Sequence, residues 1–341
     1  MYLGGDVSKF DLFDSDTILS CWAMSGESHI RKALEVVDSL MTREGVRFRT
    51  SKKSASHPFS TQMYRPELDT TEYCNVEQVK MYQSLVGILR WLCELGRVDI
   101  LMETSALSHH LVSPRVGHLH QVLHVFKYLK DHKRSRLVFD PSYINISDDD
   151  LPIEERAATR ARYMAELYKD ATEDIPRNAP KPRGRPVQIS CFVDADHAGD
   201  SVTRRSRTGI LIFLNSAPII WYSKRQNTVE TSTFGSEFVA MRQAFEIIKA
   251  LKYKLRMFGV DILDGGTKVF SDNNAVVKNC SYSESTLSKK HHSINYHYVR
   301  ECVAAGVGLV YKVDTEENLA DLFTKVLNGA RRKKILMSIT Y

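Results

Sequence analysis

The stretch Cys191-Phe192-Val193-Asp194-Ala195-Asp196-His197-Ala198-Gly199-Asp200 (CFVDADHAGD) decides how the rest of the chain reads. An apolar run from Val187 predicts a strand over 187–194, and the strand ends in acids. Side chains on a strand repeat every two residues, so Asp194 and Asp196 share a face if the strand continues. A carboxylate at a buried strand tip is costly without compensation. Either a compensating group sits there, or the acids simply open a solvated loop. A lone D-x-D does not choose between these, so the surrounding chain must.

Downstream, 208–214 and 218–223 are apolar β-type runs separated by Asn215-Ser216-Ala217, which predicts a hairpin. A long helix is expected from about Thr233 to Phe258, stopping at Gly259. Lys268–Ser271 reads as a fourth strand, Val307–Val313 as a fifth and Glu316–Leu327 as a closing helix. Strands alternating with helices after an antiparallel opening imply a mixed, open α/β sheet of five strands.

Three further acids have telling positions. On the long helix, Met241, Ala244, Ile248, Leu251, Leu255 and Phe258 step by three and four, and one step back lands on Glu237. A first-turn acid is favoured by the helix dipole wherever it points. This one lies on the stripe that faces the sheet. Asp272 follows the fourth strand; it could cap the next helix, but Asn273 and Asn274 can do so equally well and leave it available. A crossover through the long helix would set the first and fourth strands side by side and parallel, with Asp194 and Asp272 leaving one edge. Asp321 lies beside Leu319, Leu322 and Phe323; taken alone it could pair with Lys325 on a surface.

Four converging acids repel, and divalent cations offset that repulsion. Ligands that are all oxygen favour Mg²⁺ or Mn²⁺ over zinc. Two such ions about 3.5–4 Å apart suit phosphodiester hydrolysis.

Upstream, 1–140 holds helical patterns over Val79–Glu94 and His118–Lys130, after an irregular segment near Lys52–Pro66 and a short β-hairpin at the start. Residues 141–186 form a proline-rich, charged stretch (Pro141, Pro152, Pro176, Pro180, Pro182, Pro186), expected to be a linker with one exposed helix. Within it, Asp148-Asp149-Asp150 is expected to be a solvated loop or helix cap. Arg331-Arg332-Lys333-Lys334 reads as a basic tail over 331–341. The 341 residues, 43% apolar and 26% charged, suit a globular protein of two domains, and a net charge of +6 permits a polyanionic partner without demanding one. Six scattered cysteines without a CxxC pair argue against zinc and suit a reducing compartment. No signal peptide or membrane-length apolar run is visible, so no membrane partner is expected.

These stretches occur in a recognisable order. CFVDADHAGD, TRRSRTGILIFLNSAPIIWYSKRQNTVETSTFGSEFVAM, VFSDNNAVVKN, STLSKKHHSINYHYVRE and NLADLFTK resemble the ribonuclease H domain of copia-type retrotransposon Pol polyproteins. The segments YQSLVGILRWLCELGRVDI and HLHQVLHVFKYLKD resemble the thumb and connection of the same polyproteins, and YLGGDVSKF the segment just beyond the polymerase site. The resemblance implies a ribonuclease H-like domain over 187–330, preceded by a mainly helical thumb and connection remnant over 1–140. It places the catalytic, metal-holding acids on Asp194, Glu237, Asp272 and Asp321, with Asp196 a neighbour. It implies two Mg²⁺ (or Mn²⁺) ions, cleavage of the RNA strand of RNA–DNA hybrids, and an intracellular setting, cytoplasmic within a virus-like particle or nuclear. Polymerase acids are missing from the sequence, so no polymerase activity is expected, and the palm and fingers of the polyprotein are a candidate partner. The segment Tyr311–Asn318 lacks the histidine that cellular and retroviral ribonucleases H carry there.

Phosphate contacts are expected from Arg204, Arg205 and Arg207 before the hairpin, from Lys224 and Arg225 after it, and from Lys289, Lys290 and His291. A catalytically silent nucleic-acid-binding fragment shares every one of these features and stands as the alternative.

Overall fold

The structure is a computed structural model, and it describes residues 4–14, 17–43, 55–144, 153–263, 265–287 and 292–341. The chain divides into two compact units, Asp140–Thr324 and the combination of Met1–Phe139 with Lys325–Tyr341.

The first unit opens with β1 (Asp6–Asp14) and β2 (Thr17–Ser25), the expected hairpin, joined by β3 (Arg136–Phe139) in the antiparallel order β1-β2-β3. Among the described residues, the α-helices that follow the hairpin are α1 (Glu27–Arg43), α2 (Val76–Glu94), α3 (Leu101–Leu107) and α4 (Val116–Asp131). Asn75 starts α2 with a capping box, its side chain accepting from Gln78 N while Gln78 accepts from Asn75 N. Ile30, Val37, Leu85, Leu89, Val122 and Phe126 line the apolar core between the helices.

The charged end does not behave as a solvated tail. Gly329–Met337 is a helix of the first unit, with Arg332 and Ile335 buried. The Arg332 guanidinium donates to Glu103 Oε1 at 3.2 Å and to the Asp99 carbonyl, and Arg97 holds the Asp99 carboxylate at 2.6 and 2.8 Å. Burial pushes the Asp99 carboxyl up, but Arg97 outweighs it and leaves the group below the ordinary carboxylate range.

The second unit is built on a five-stranded sheet. β4 (Arg183–Val187) leads into β5 (Ile189–Asp196), then β6 (Arg207–Leu214) and β7 (Ala217–Arg225), followed by β8 (Val260–Ile262), β9 (Thr267–Ser271) and β10 (Gly308–Lys312). The sheet order is β10-β9-β5-β6-β7, parallel on the β10-β9-β5 side and antiparallel across β5-β6-β7. This is the mixed five-stranded sheet that the sequence predicts, flanked by helices. β4 and β8 form a separate two-stranded pair.

Among the described residues, this unit holds the α-helices α5 (Ala157–Leu167), α6 (Thr233–Met257), α7 (Asn274–Ser281) and α8 (Ser293–Ala304). α6 lays Phe238, Met241, Ala244 and Ile248 on Cys191, Val193 and Val269 of the sheet. Its stripe ends before the position expected, since Phe258 is outside the helix and 79% exposed. α5 is not an exposed linker helix: Met164 is fully buried in the same core, and Arg160 is buried too. The triplet Asp148-Asp149-Asp150 lies outside the described residues.

A candidate metal-holding carboxylate site

The ladder between β5 and β9 sets the site. Phe192 pairs with Phe270, so Asp194 and Asp272, each two residues further on, leave the two parallel strands at the same level. Asn273 caps α7 by accepting from Ala275 N and Val276 N at 3.0 and 3.2 Å, which relieves Asp272 of that role.

Asp321 arrives by a different route from the one expected. In place of one helix over 316–327 there are two short 3₁₀ turns, Thr315–Glu317 and Leu319–Phe323. Asp314 caps the first and Asn318 the second, and two successive caps divide what the sequence pattern merges. Asn318 also donates from Nδ2 to the Val193 carbonyl at 3.0 Å, tying the Asp321 turn to the residue before Asp194. The close approach needs Gly209, the ladder partner of Asp194: a Cβ there would lie 2.7 Å from Thr324 Cγ2 and 2.8 Å from the Ala320 carbonyl.

The outcome is one group of three carboxylates. Oxygen atoms of Asp194, Asp272 and Asp321 all lie within 4.8 Å of one another. Asp194 and Asp321 are 1% and 0% exposed, and Asp272 is half-buried. The fourth acid, Glu237, is buried on α6 but is not a member of that group. Asp196 is not a member of the group either, and its carboxylate fills the space over Gly199, where a Cβ would come within 1.6 Å of Oδ2.

Two side chains missed in the sequence hold this arrangement. The Thr324 hydroxyl donates to Asp194 Oδ2, and the Thr324 backbone N–H donates to the Asp321 carbonyl at 3.3 Å. Buried Gln226 donates from Nε2 to Thr208 Oγ1 at 3.1 Å and to the Ser236 carbonyl at 2.9 Å, fastening the end of β7 to the first turn of α6, next to Glu237. The usable signal was spacing: Asn318 and Thr324 flank Asp321 at minus and plus three in an otherwise apolar turn.

The donor set fits a hard divalent cation, because it offers several carboxylate oxygens at close range and no sulfur or imidazole.

The expected phosphate contacts are distributed unevenly. Arg204 and Lys224 are exposed, whereas Arg205 and Arg207 are half-buried. Arg207 donates to Ser223 Oγ at 3.3 Å, and Arg225 is ion-paired with Asp200 Oδ2. Burial pushes Asp200 up, but bonds from Thr203 and Arg225 outweigh it and hold the group below the ordinary carboxylate range. Lys289, Lys290 and His291 lie outside the described residues. Neighbouring His292 is 2% exposed, with Nδ1 3.5 Å from Glu230 Oε2.

No family model matches the chain. Over 249 residues, 72% of its length, it is 34% identical to the retrovirus-related Pol polyprotein from transposon TNT 1-94 of Nicotiana tabacum. The chain is a homologue of retrovirus-related Pol polyproteins. A second such relative, from transposon RE2 of Arabidopsis thaliana, is 28% identical over 146 residues, 43% of this chain. The chain spans 15% of the tobacco polyprotein and 10% of the Arabidopsis one. Among solved structures, the N-terminal RNase H domain of rv2228c from Mycobacterium tuberculosis, fused to maltose-binding protein, overlays with a TM-score of 0.31 at 12% identity. It covers 45% of this chain and 98% of that one, a likeness too distant to bear on function. Among the described residues no helix is long and apolar enough to cross a membrane.

Proposed function

We propose that the ribonuclease H-like region is a retrotransposon-derived endonuclease that hydrolyses the RNA strand of RNA–DNA hybrids during reverse transcription. The observation that carries this reading is the gathering of Asp194, Asp272 and Asp321 within 4.8 Å at the strand tips, in a homologue of Pol polyproteins. In this reading these three acids, together with Glu237 of α6, hold two Mg²⁺ or Mn²⁺ ions. When bound, the ions supply activation of a water and stabilisation of the leaving oxygen. The chain's own part is positioning. Thr324 fixes the rotamer of Asp194, Asn318 holds the Asp321 turn on β5, and Gln226 fastens the α6 turn that carries Glu237. Exposed Arg204 and Lys224 at the open end of the β6–β7 hairpin contact backbone phosphates, which orients a hybrid without reading its bases. The 2′-hydroxyl then marks the strand to be cut.

Cleavage of a labelled RNA strand annealed to DNA, with and without Mg²⁺, tests this for the wild type and Asp272→Asn. Metal-dependent cutting of the hybrid and not of duplex DNA, abolished in the variant, is the expected result. Hybrid binding without cutting, unchanged by the substitution, would establish the silent nucleic-acid-binding alternative instead.

A further inference from the structure

The stretch Lys181-Pro182-Arg183-Gly184-Arg185-Pro186 has no part in the carboxylate site, yet its chemistry is specific. In the β4–β8 pair, Arg183 lies opposite Val260 and Val187 opposite Ile262. Four steps along β4 therefore answer two along β8, and Gly184, Arg185 and Pro186 bow outward. Both ends of the bow are pinned: Arg183 N–H donates to the Gly259 carbonyl, and Leu263 N–H to the Val187 carbonyl, each at 2.9 Å. Residues 181–185 are all exposed. Gly184 has φ +86°, and a Cβ built on it would meet nothing within 4 Å.

Among the described residues neither Arg183 nor Arg185 has a carboxylate partner. Arg185 instead lies over the Tyr143 ring at 4.0 Å and donates from Nε to its hydroxyl at 2.9 Å, and that hydroxyl donates to the Pro186 carbonyl at 2.7 Å. The stack keeps the guanidinium extended at the surface, and an exposed contact of this kind is readily exchanged for another.

We propose that this bow is a minor-groove arm for A·T-rich duplex DNA. The minor groove is about 6 Å wide, so a chain entering it must be slim at its centre. A glycine between two arginines meets that requirement, and Pro182 and Pro186 keep the flanks extended and without competing N–H donors. A·T tracts narrow the groove and deepen its negative potential, which draws in arginine side chains. On its floor, adenine N3 and thymine O2 accept from the guanidinium donors, and the G·C amino group obstructs the same approach. A loop serving only phosphates would need neither the glycine nor the prolines. The proposal is independent of the nuclease reading, because it uses none of the four acids.

The test is fluorescence anisotropy of the full chain with two labelled duplexes, identical except for an A·T or a G·C core, at about 150 mM salt. The A·T duplex should bind about tenfold or more tightly than the G·C duplex, and netropsin, which fills the A·T minor groove, should displace the protein. Arg183→Lys/Arg185→Lys conserves charge and should fold as the wild type, because both side chains are exposed. It should lose the preference and keep only salt-sensitive binding equal on both duplexes. Equal affinity of the wild type for the two duplexes, or a preference that survives the double substitution, would overturn the proposal.

Discussion

In the unit that contains the helix Gly329–Met337, the buried acids Asp99 and Glu103 meet Arg97 and Arg332. In the sheet unit, Asp194 and Asp321 are buried as deeply, but with Asp272 their carboxylates converge on one another. The first arrangement is closed: each acid faces a guanidinium, and removing either partner leaves a buried charge exposed to a low dielectric. The second concentrates like charge, which isolated folding would disfavour and a divalent cation would offset. Burial of a carboxylate thus has different meanings in the two units. Facing an arginine, it contributes to the fold; facing other carboxylates, it points to a ligand.

The sharpest way to break this contrast is to remove a guanidinium. Arg332→Leu should destabilise its unit by about 3–5 kcal/mol, because buried Glu103 then loses its ion pair with the guanidinium. Adding Glu103→Leu should recover most of the loss, and urea unfolding of the single and double variants measures both. Equal destabilisation by the two would mean that packing, not charge, dominates there.

A pH titration comes next in size. Burial pushes the His57 imidazole down to about 4, and Arg332 repels its proton further. The unfolded chain protonates histidine near pH 6.5, so between about 6.5 and 4 it binds more protons than the native state. Stability is therefore full above that window and is lost as pH falls through it, by on the order of 3 kcal/mol from this group. His57→Gln should flatten the corresponding part of a melting-temperature profile; an unchanged profile would mean that His57 does not titrate in that range.

On the carboxylate side, Thr324→Val should cost about 1–3 kcal/mol and weaken metal-dependent activity, because Asp194 Oδ2 loses its hydroxyl donor. Thr324→Ser, which retains the hydroxyl, should restore the metal response; failure of that rescue would assign Thr324 to packing alone. The smallest effect has the opposite sign from that of Arg332. In metal-free buffer, Asp272→Asn should leave the melting temperature unchanged or raise it slightly, about 1 kcal/mol at most, by relieving repulsion at a half-buried position. A large loss would show that Asp272 serves the fold.

Much of the site was legible because its positions follow from periodicity. Continuing the α6 stripe one step back puts Glu237 on the buried face, where it lies, though outside the group of three; Asp272 is left available because Asn273 takes the cap. What escaped reading depends on contacts distant in sequence. Gly209 admits the Asp321 turn from the next strand, and Thr324 reaches Asp194 across 130 positions. The 3₁₀ turns were hidden because 316–327 has a helical pattern that the Asp314 and Asn318 caps interrupt. The C-terminal helix was hidden by its charge. Arg332, Ile335 and Ile339 recur at helical spacing, but Arg331-Arg332-Lys333-Lys334 reads as solvated, and Arg332 is buried because it meets Glu103 and the Asp99 carbonyl, 229 and 233 positions upstream. Phe258 failed in the opposite sense, extending an apolar stripe past the end of its helix.

The most direct measurement is Mn²⁺ binding to the full chain, followed by loss of the free-ion paramagnetic resonance signal, for wild type and Asp272→Asn. Saturable binding that the substitution abolishes or greatly weakens is the predicted result. Absence of saturable binding in the wild type, or equal binding in both, would contradict a cation-holding role for Asp194, Asp272 and Asp321.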